Sequence, residues 1–323
     1  MRIACRRDAY LLAVLAVVQV LRWLGSPRLA ARAAELIGVA AFHATARKRH
    51  TSAGRLAAAL HVSPSDPRVE HWIREAYITA WTDLLCLAHA GRSSPHQPPV
   101  EINGLQHLEQ AIAAGNGVVL WESSNFGHRV LAKLVLSSLG FKLVQVHAQD
   151  HVEGLLYVGQ EPTRLFRRVI QPAFTALELG FLEEILVLEP AHSLNHARMI
   201  ANRLRANAIV CVAADGLHGS RFVELEFMGF QRRFPTGIAS LGRMSRAAIL
   251  PIFCFRDGAG RGHLVIGQPR DIPPARDAAG AAMRHYARLL ESYVRRLPGQ
   301  YRAWHLLTSA PRVAAVPHLV GGR

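Results

Sequence analysis

Val118-Val119-Leu120-Trp121-Glu122-Ser123-Ser124-Asn125-Phe126-Gly127-His128-Arg129 is the stretch on which the fold turns. Val118–Trp121 is a short, wholly apolar run with a polar segment behind it, the pattern of a strand buried on both faces. An apolar pattern of helical period resumes at Phe126 and runs to Leu139, where Gly140 ends it, and Lys142–Val146 is again strand-like. Further strands are predicted at Ile185–Leu188, Ala208–Val212, Phe222–Phe227 and Ala248–Phe255, with helices near Leu194–Leu204 and Arg276–Arg296. Strands joined by helical crossovers predict an α/β fold, with a mostly parallel sheet flanked by helices. Such sheets bind ligands beyond the carboxyl ends of their strands, which singles out Glu122–Arg129 and Asp215–Arg221.

Upstream, residues 27–92 read as helices: Asp66-Pro67 suits an N-cap and first turn, and Gly91 closes the stripe Val69, Trp72, Ile73, Ala76, Ala80, Leu84, Leu87. The Pro-rich stretch Ser93–Pro99 marks a boundary. The expected organisation is a membrane anchor over 1–25, a helical region and linker over 26–99, and an α/β domain over 100–323.

The 323 residues are 50% hydrophobic and 19% charged, which excludes a disordered chain, and Gly and Pro are spread too evenly for a fibrous one. Cys5, Cys86, Cys211 and Cys254 lie far apart without zinc-ligand spacing, so no metal site or disulfide framework is expected. The formal charge is +15; residues 1–50 carry nine Lys/Arg against two acids and so hold +7 of it. A basic end of this kind meets an anionic surface. Ala9–Leu21 is uncharged and mostly apolar, short of the ~20 residues of a spanning helix. Arginines flank it on both sides and outnumber the upstream ones downstream, which predicts a retained anchor, spanning or interfacial, with the bulk of the chain on the cytoplasmic side.

Several segments, in order, resemble the late lipid A biosynthesis acyltransferases of bacteria, within the lysophospholipid acyltransferase superfamily. Val100–Gly104, His107-Leu108 and Gly115–Leu120 are similar to that family's entry into its first strand, and Asn125-Phe126-Gly127 stands where its His-Phe-Gly motif begins. Asp215-Gly216, Phe227-Met228-Gly229, Thr236–Leu241 and Ile249–Phe253 with Arg256 follow its later blocks. Leu297-Pro298-Gly299-Gln300-Tyr301-Arg302-Ala303-Trp304 is similar to its Pro-x-Gln-Tyr-x-x-Trp signature. The resemblance implies an enzyme of the bacterial inner membrane, with its catalytic domain on the cytoplasmic face. It would move a fatty acyl group from acyl carrier protein or coenzyme A to a hydroxyl of a glycolipid or lysolipid. The family needs no metal or redox cofactor.

The family's base is a His with an acid five positions on. Here those positions hold Asn125 and Val130, and an Asn amide orients groups but takes no proton. His128, three residues after Asn125, is the replacement base if both lie on one helix face. A helix amino terminus keeps such an imidazole neutral. Glu122 or Asp215 would orient it, with Asn125 and Ser124 shaping the site. The resemblance also places Phe126, Gly127, Arg129, Phe227, Gly229 and Thr236 at the substrate, and Arg232 and Arg233 at a phosphate. The alternative is a homologue that binds lipid or carrier protein without chemistry.

Other motifs read as structural. His61 with Asp66 and His96 with Glu101 are His-x4-acid matches interrupted by prolines. Ser123-Ser124 lacks the glycines of a nucleophile elbow. Gly258, Gly260 and Gly262 suit a hairpin turn, and His147, Asp150 and His151 a hydrogen-bonded loop. No nucleic-acid motif accompanies the basic charge, so nucleic acid is not an expected partner.

Overall fold

The computed structural model describes residues 3–91, 100–148, 151–152, 155–156, 162–188, 193–216, 221–270, 272 and 277–308. Four helices come first: α1 (Arg6–Leu24), α2 (Pro27–Ala44), α3 (Ala46–Leu60) and α4 (Pro67–Leu85). Strands and helices then alternate through β1 (Val100–Asn103), α5 (Leu105–Ala113), β2 (Val118–Glu122), α6 (Arg129–Ser138), β3 (Leu143–Ala148), β4 (His151–Val152), β5 (Leu155–Leu156) and α7 (Gln171–Glu178). They continue as β6 (Glu184–Leu188), α8 (Ser193–Arg205), β7 (Ile209–Ala213), β8 (Phe222–Phe227), β9 (Phe230–Pro235), α9 (Gly237–Ser245), β10 (Ala248–Arg256), β11 (Gly262–Ile266) and α10 (Ala278–Arg296).

The main sheet has seven strands in the order β1-β11-β10-β2-β7-β3-β6, and only the β10–β11 pairing is antiparallel. Every residue of β2 is buried, as its apolar run predicts for a strand covered on both sides. Val118 and Leu120 enter one core with α1, α6 and α7, whereas Val119 and Trp121 enter another with α10. The chain reaches β2 from β1 on one side and leaves through α6 to β3 on the other. The carboxyl end of β2 is therefore a topological switch point, where ligands bind in open α/β sheets.

Two expectations change here. Phe222–Phe227 is a strand, but it pairs with β9 as a separate hairpin, and Met228 and Gly229 both take positive φ in its two-residue turn. The amino-terminal anchor changes more. Among the described residues no helix is long and apolar enough to cross a membrane. Leu11, Val14, Val18 and Leu21 on α1 instead face the core beneath the sheet. Asp8 is buried and accepts hydrogen bonds from Cys5 N (2.7 Å) and Thr163 Oγ1 (2.8 Å), which ties this helix to the chain before α7. Thirteen uncharged residues suffice for an amphipathic helix docked on a body, and Leu11, Val14, Val18 and Leu21 are spent on that body.

Candidate active site

The polar turn after β2 is organised by Asp215, which lies just past β7 and is fully buried. Its carboxylate accepts hydrogen bonds from Ser124 N (2.6 Å), Ser123 Oγ (2.8 Å) and Asn125 Nδ2 (3.0 Å), and Arg232 Nη2 lies 3.5 Å away. The same Arg232 nitrogen donates to the Asp215 carbonyl at 2.9 Å. Asn125 points its amide at this carboxylate. Ser123 Oγ in turn accepts from the Asn125 and Phe126 backbone N–H groups, at 3.1 and 3.0 Å. This hydroxyl is a turn cap rather than a nucleophile, which answers the elbow reading.

The helix predicted from Phe126 starts at Arg129, with His128 as its N-cap residue. Asn125 therefore stands outside the helix, and the shared face expected for Asn125 and His128 does not form. His128 is buried, its backbone N–H donates to Cys254 O at 2.8 Å, and among the described residues its buried Nδ1 has no partner. Neither Glu122 nor Asp215 hydrogen-bonds it. Burial first, then the nearby Arg256 and Arg302, pushes its pKa down to about 3. The imidazole is neutral, as a base must be, but for a reason other than the helix terminus.

Glu122 serves a different network on the opposite face of β2. It accepts from Gln145 Nε2 (3.1 Å) and faces Arg129 Nε (3.5 Å) and Lys133 Nζ (3.9 Å), all of them buried. Arg129 Nη1 reaches back to Ser124 Oγ at 3.5 Å, which links this cluster to the turn. Lys133 and Gln145 carry no motif; their only signal is polarity inside apolar segments.

The aromatic block is also rearranged. Phe227 is fully buried and Gly229 turns the β8–β9 hairpin. The Arg232 guanidinium is buried 5.5–5.6 Å from the rings of Phe227, Phe234 and Tyr301. It is the ion partner of Asp215 and is not presented to a phosphate. Arg233 is exposed over the Phe222 ring (4.4 Å), and Thr236, the residue before α9, donates its hydroxyl to the Arg221 carbonyl at 3.4 Å. Phe126 packs between Phe253 and Tyr293 and bridges Tyr301.

Residues far from the turn in sequence hold it from behind. Asp83 on α4 accepts from Val130 N at 2.8 Å and so caps α6, and its other oxygen lies 3.4 Å from Arg302 Nη1. Arg302 Nη2 donates to Ser124 O (3.0 Å). The Gln300 side chain pairs with both backbone groups of Arg256, at 2.6 and 3.0 Å, extending the edge of β10. These contacts give the Pro-x-Gln-Tyr-x-x-Trp segment its physical role: it closes the back of the turn.

Gly260 turns the connection between β10 and β11, in line with the hairpin reading. His147 pairs with Glu178 at 3.5 Å; Asp150 and His96 lie outside the described residues, as does the side chain of His151. Among the described residues no three metal-ligating side chains converge.

The state of His128 predicts acid lability. The unfolded imidazole takes up its proton near pH 6.5, the folded one only at about 3. Its contribution is therefore complete above pH 6.5 and is lost as pH falls, by about 1.4 kcal/mol per unit. Urea unfolding between about pH 7.5 and pH 5 should show this slope, and His128→Gln should flatten it. An unchanged slope in the variant would place the imidazole in water.

A buried carboxylate and its donors at the switch point of an open parallel sheet define an α/β protein with a ligand site at its strand ends. Comparison with known proteins is more specific. Residues 189–307 match the bacterial lipid A biosynthesis acyltransferase family. Over 235 residues the chain is 29% identical to phosphatidylinositol mannoside acyltransferase of Mycobacterium tuberculosis, covering 72% of this chain and 67% of that one. The protein of the same name from a second strain of that organism gives the same figures. These likenesses support the acyltransferase family, and with it transferase activity.

Proposed function

We propose that this chain is a membrane-surface acyltransferase that moves a fatty acyl group from a thioester, of acyl carrier protein or coenzyme A, to a hydroxyl of a glycolipid or lysolipid. The observation that carries the reading is the Asp215-centred turn. It stands where the resembling family has its catalytic motif and retains a buried carboxylate aimed at the position of the missing His. In the reaction the acceptor hydroxyl oxygen attacks the thioester carbonyl carbon, the C–S bond breaks, and the hydroxyl proton passes by way of His128 to the departing sulfur.

The amino-terminal helices support the membrane side of the reading. Their outer faces expose Trp23 (81%) and Leu36 (72%), with Tyr10, Val20 and Leu29 nearby in sequence and Arg6, Arg7, Arg22, Arg28 and Arg32 interspersed. An apolar face rimmed with arginine suits a helix pair lying in the interface of an anionic bilayer. A bacterial inner membrane, approached from the cytoplasm, is the proposed location.

A second reading, binding of lipid or carrier protein without chemistry, is favoured by one observation: no carboxylate orients His128, and burial beside two arginines makes it a weak proton acceptor. Acyl transfer from labelled acyl carrier protein into lipid vesicles separates the two. The enzyme reading expects transfer by the wild type and a fall of about 10²–10⁴-fold in His128→Ala. Equal transfer removes His128 from the mechanism, and no transfer by either leaves the binding reading. Flotation of the vesicles in the same assay tests the membrane face, which is wrong if the protein stays in the aqueous fraction.

A further inference from the structure

The basic run Arg47-Lys48-Arg49 takes no part in the candidate active site, nor does Arg55 further along the same helix. Lys48 and Arg55 are seven residues apart on α3, two turns on one helix face. That helix packs on the short turn Trp304–Leu306, where the Arg55 guanidinium donates to the His305 carbonyl. Among the described residues His305 Nδ1 is buried with no hydrogen-bond partner. Lys48 Nζ sits 5.8 Å from the centre of the Tyr77 ring and within electrostatic range of both Arg302 and His305. Arg302 in turn donates to the Ser124 carbonyl, which joins this cluster to the candidate active site.

The charge balance of the group is one-sided. The acid paired with the group is Asp83, whose carboxylate also accepts the Val130 N–H. Neither Lys48 nor Arg55 forms an ion pair there. Like charges held together without acids are destabilising on their own, and the arrangement makes sense where an anion completes it. Two guanidinium groups, an ammonium and an imidazole offer many N–H donors to a compact set of oxygens, which describes a phosphate ester better than a single carboxylate.

We propose that Lys48, Arg55, Arg302 and His305 form a phosphate-binding subsite beside the Ser124-Asn125 turn, which holds the phosphate of a substrate while its reacting end lies at the turn. It takes over the role that Arg232, locked to Asp215, cannot fill. Only the ownership of the phosphate rests on the acyltransferase reading. The donor's coenzyme A and a phospholipid acceptor's headgroup present the same chemistry.

Titration calorimetry of the whole protein with inorganic phosphate, coenzyme A and glycerophosphoinositol tests the subsite without turnover. Saturable binding of at least one probe is expected, weakened about tenfold in Lys48→Gln, the loss of one charge-assisted contact. Arg198→Gln removes the same charge from an exposed place on α8 and should bind as the wild type does. Thermal melting confirms that Lys48→Gln, which breaks no ion pair, remains folded. Preference for coenzyme A assigns the subsite to the donor, and preference for glycerophosphoinositol assigns it to the acceptor. No binding of any probe, binding indifferent to Lys48→Gln, or equal weakening by Arg198→Gln would overturn the proposal. Failed binding leaves acyl transfer open, and absent transfer with intact binding leaves the subsite standing.

Discussion

Gly127→Ala is expected to cost about 4 kcal/mol or more, enough to leave little folded protein. Gly127 has φ +66°, a conformation that costs a side-chain-bearing residue about 1–2 kcal/mol by itself. Steric contact costs more: a Cβ built there would lie 1.9 Å from the carbonyl oxygen of Cys254. That oxygen cannot withdraw, because it accepts the His128 N–H at 2.8 Å and belongs to β10, which is clamped between β2 and β11. The Gly127 N–H is committed as well, to Gln300 O at 2.9 Å. Gly115 is the internal control, since it has φ +77° but nothing within 4 Å of an added Cβ. Gly115→Ala should cost about 1 kcal/mol, from backbone conformation alone. Urea unfolding of the two variants checks the comparison, and equal losses would show that the close approach to β10 is not rigid.

The same contrast between local and distant constraints explains how much of the fold is legible in the residues alone. Apolar runs of strand length alternating with helical periods gave the sheet, its parallel character and its two covered faces, because those patterns depend on near neighbours and burial. Pairing partners are not encoded so locally. Phe222–Phe227 has the pattern of a strand whether it joins the main sheet or, as here, turns back on β9. Ala9–Leu21 has the composition of an anchor whether its apolar faces meet lipid or core, and Asp8 hydrogen-bonded to Thr163 settles the inner face toward the core. Sequence also brought Asn125, Ser124 and Asp215 to one site, since each follows a strand. It missed Asp83, which caps α6 from 47 residues away, and it marked the segment of Gln300 and Arg302 by resemblance without revealing that these side chains close the turn from behind. A polar residue on an amphipathic helix carries no local mark of such a task. His128 shows the reverse failure: its type and spacing suggested a base aligned with Asn125, and a helix beginning three residues later than predicted separated them.

The other large effect is expected at Asp215. Asp215→Ala should destabilise the chain by about 3–5 kcal/mol, because removing one member of a buried pair strands the other. The stranded partner is Arg232, buried among Phe227, Phe234 and Tyr301, with only the Asp215 backbone carbonyl left to receive it. Ser123 Oγ, Ser124 N and Asn125 Nδ2 lose their acceptor in the same step, so the turn that presents the site loses its centre. Much of this cost belongs to the uncompensated charge and should vanish with it. Arg232→Leu in the Asp215→Ala background is therefore expected to cost less than the two single losses together, by about 1.5–3 kcal/mol in a double-mutant cycle followed by urea unfolding. Strict additivity would mean that the 3.5 Å approach of the two side chains carries little energy, and that the backbone carbonyl contact alone holds Arg232 in its aromatic cage. A positive coupling with the turn intact would instead identify the buried pair as what fixes Asn125 at the mouth of the sheet, independently of whether His128 moves a proton.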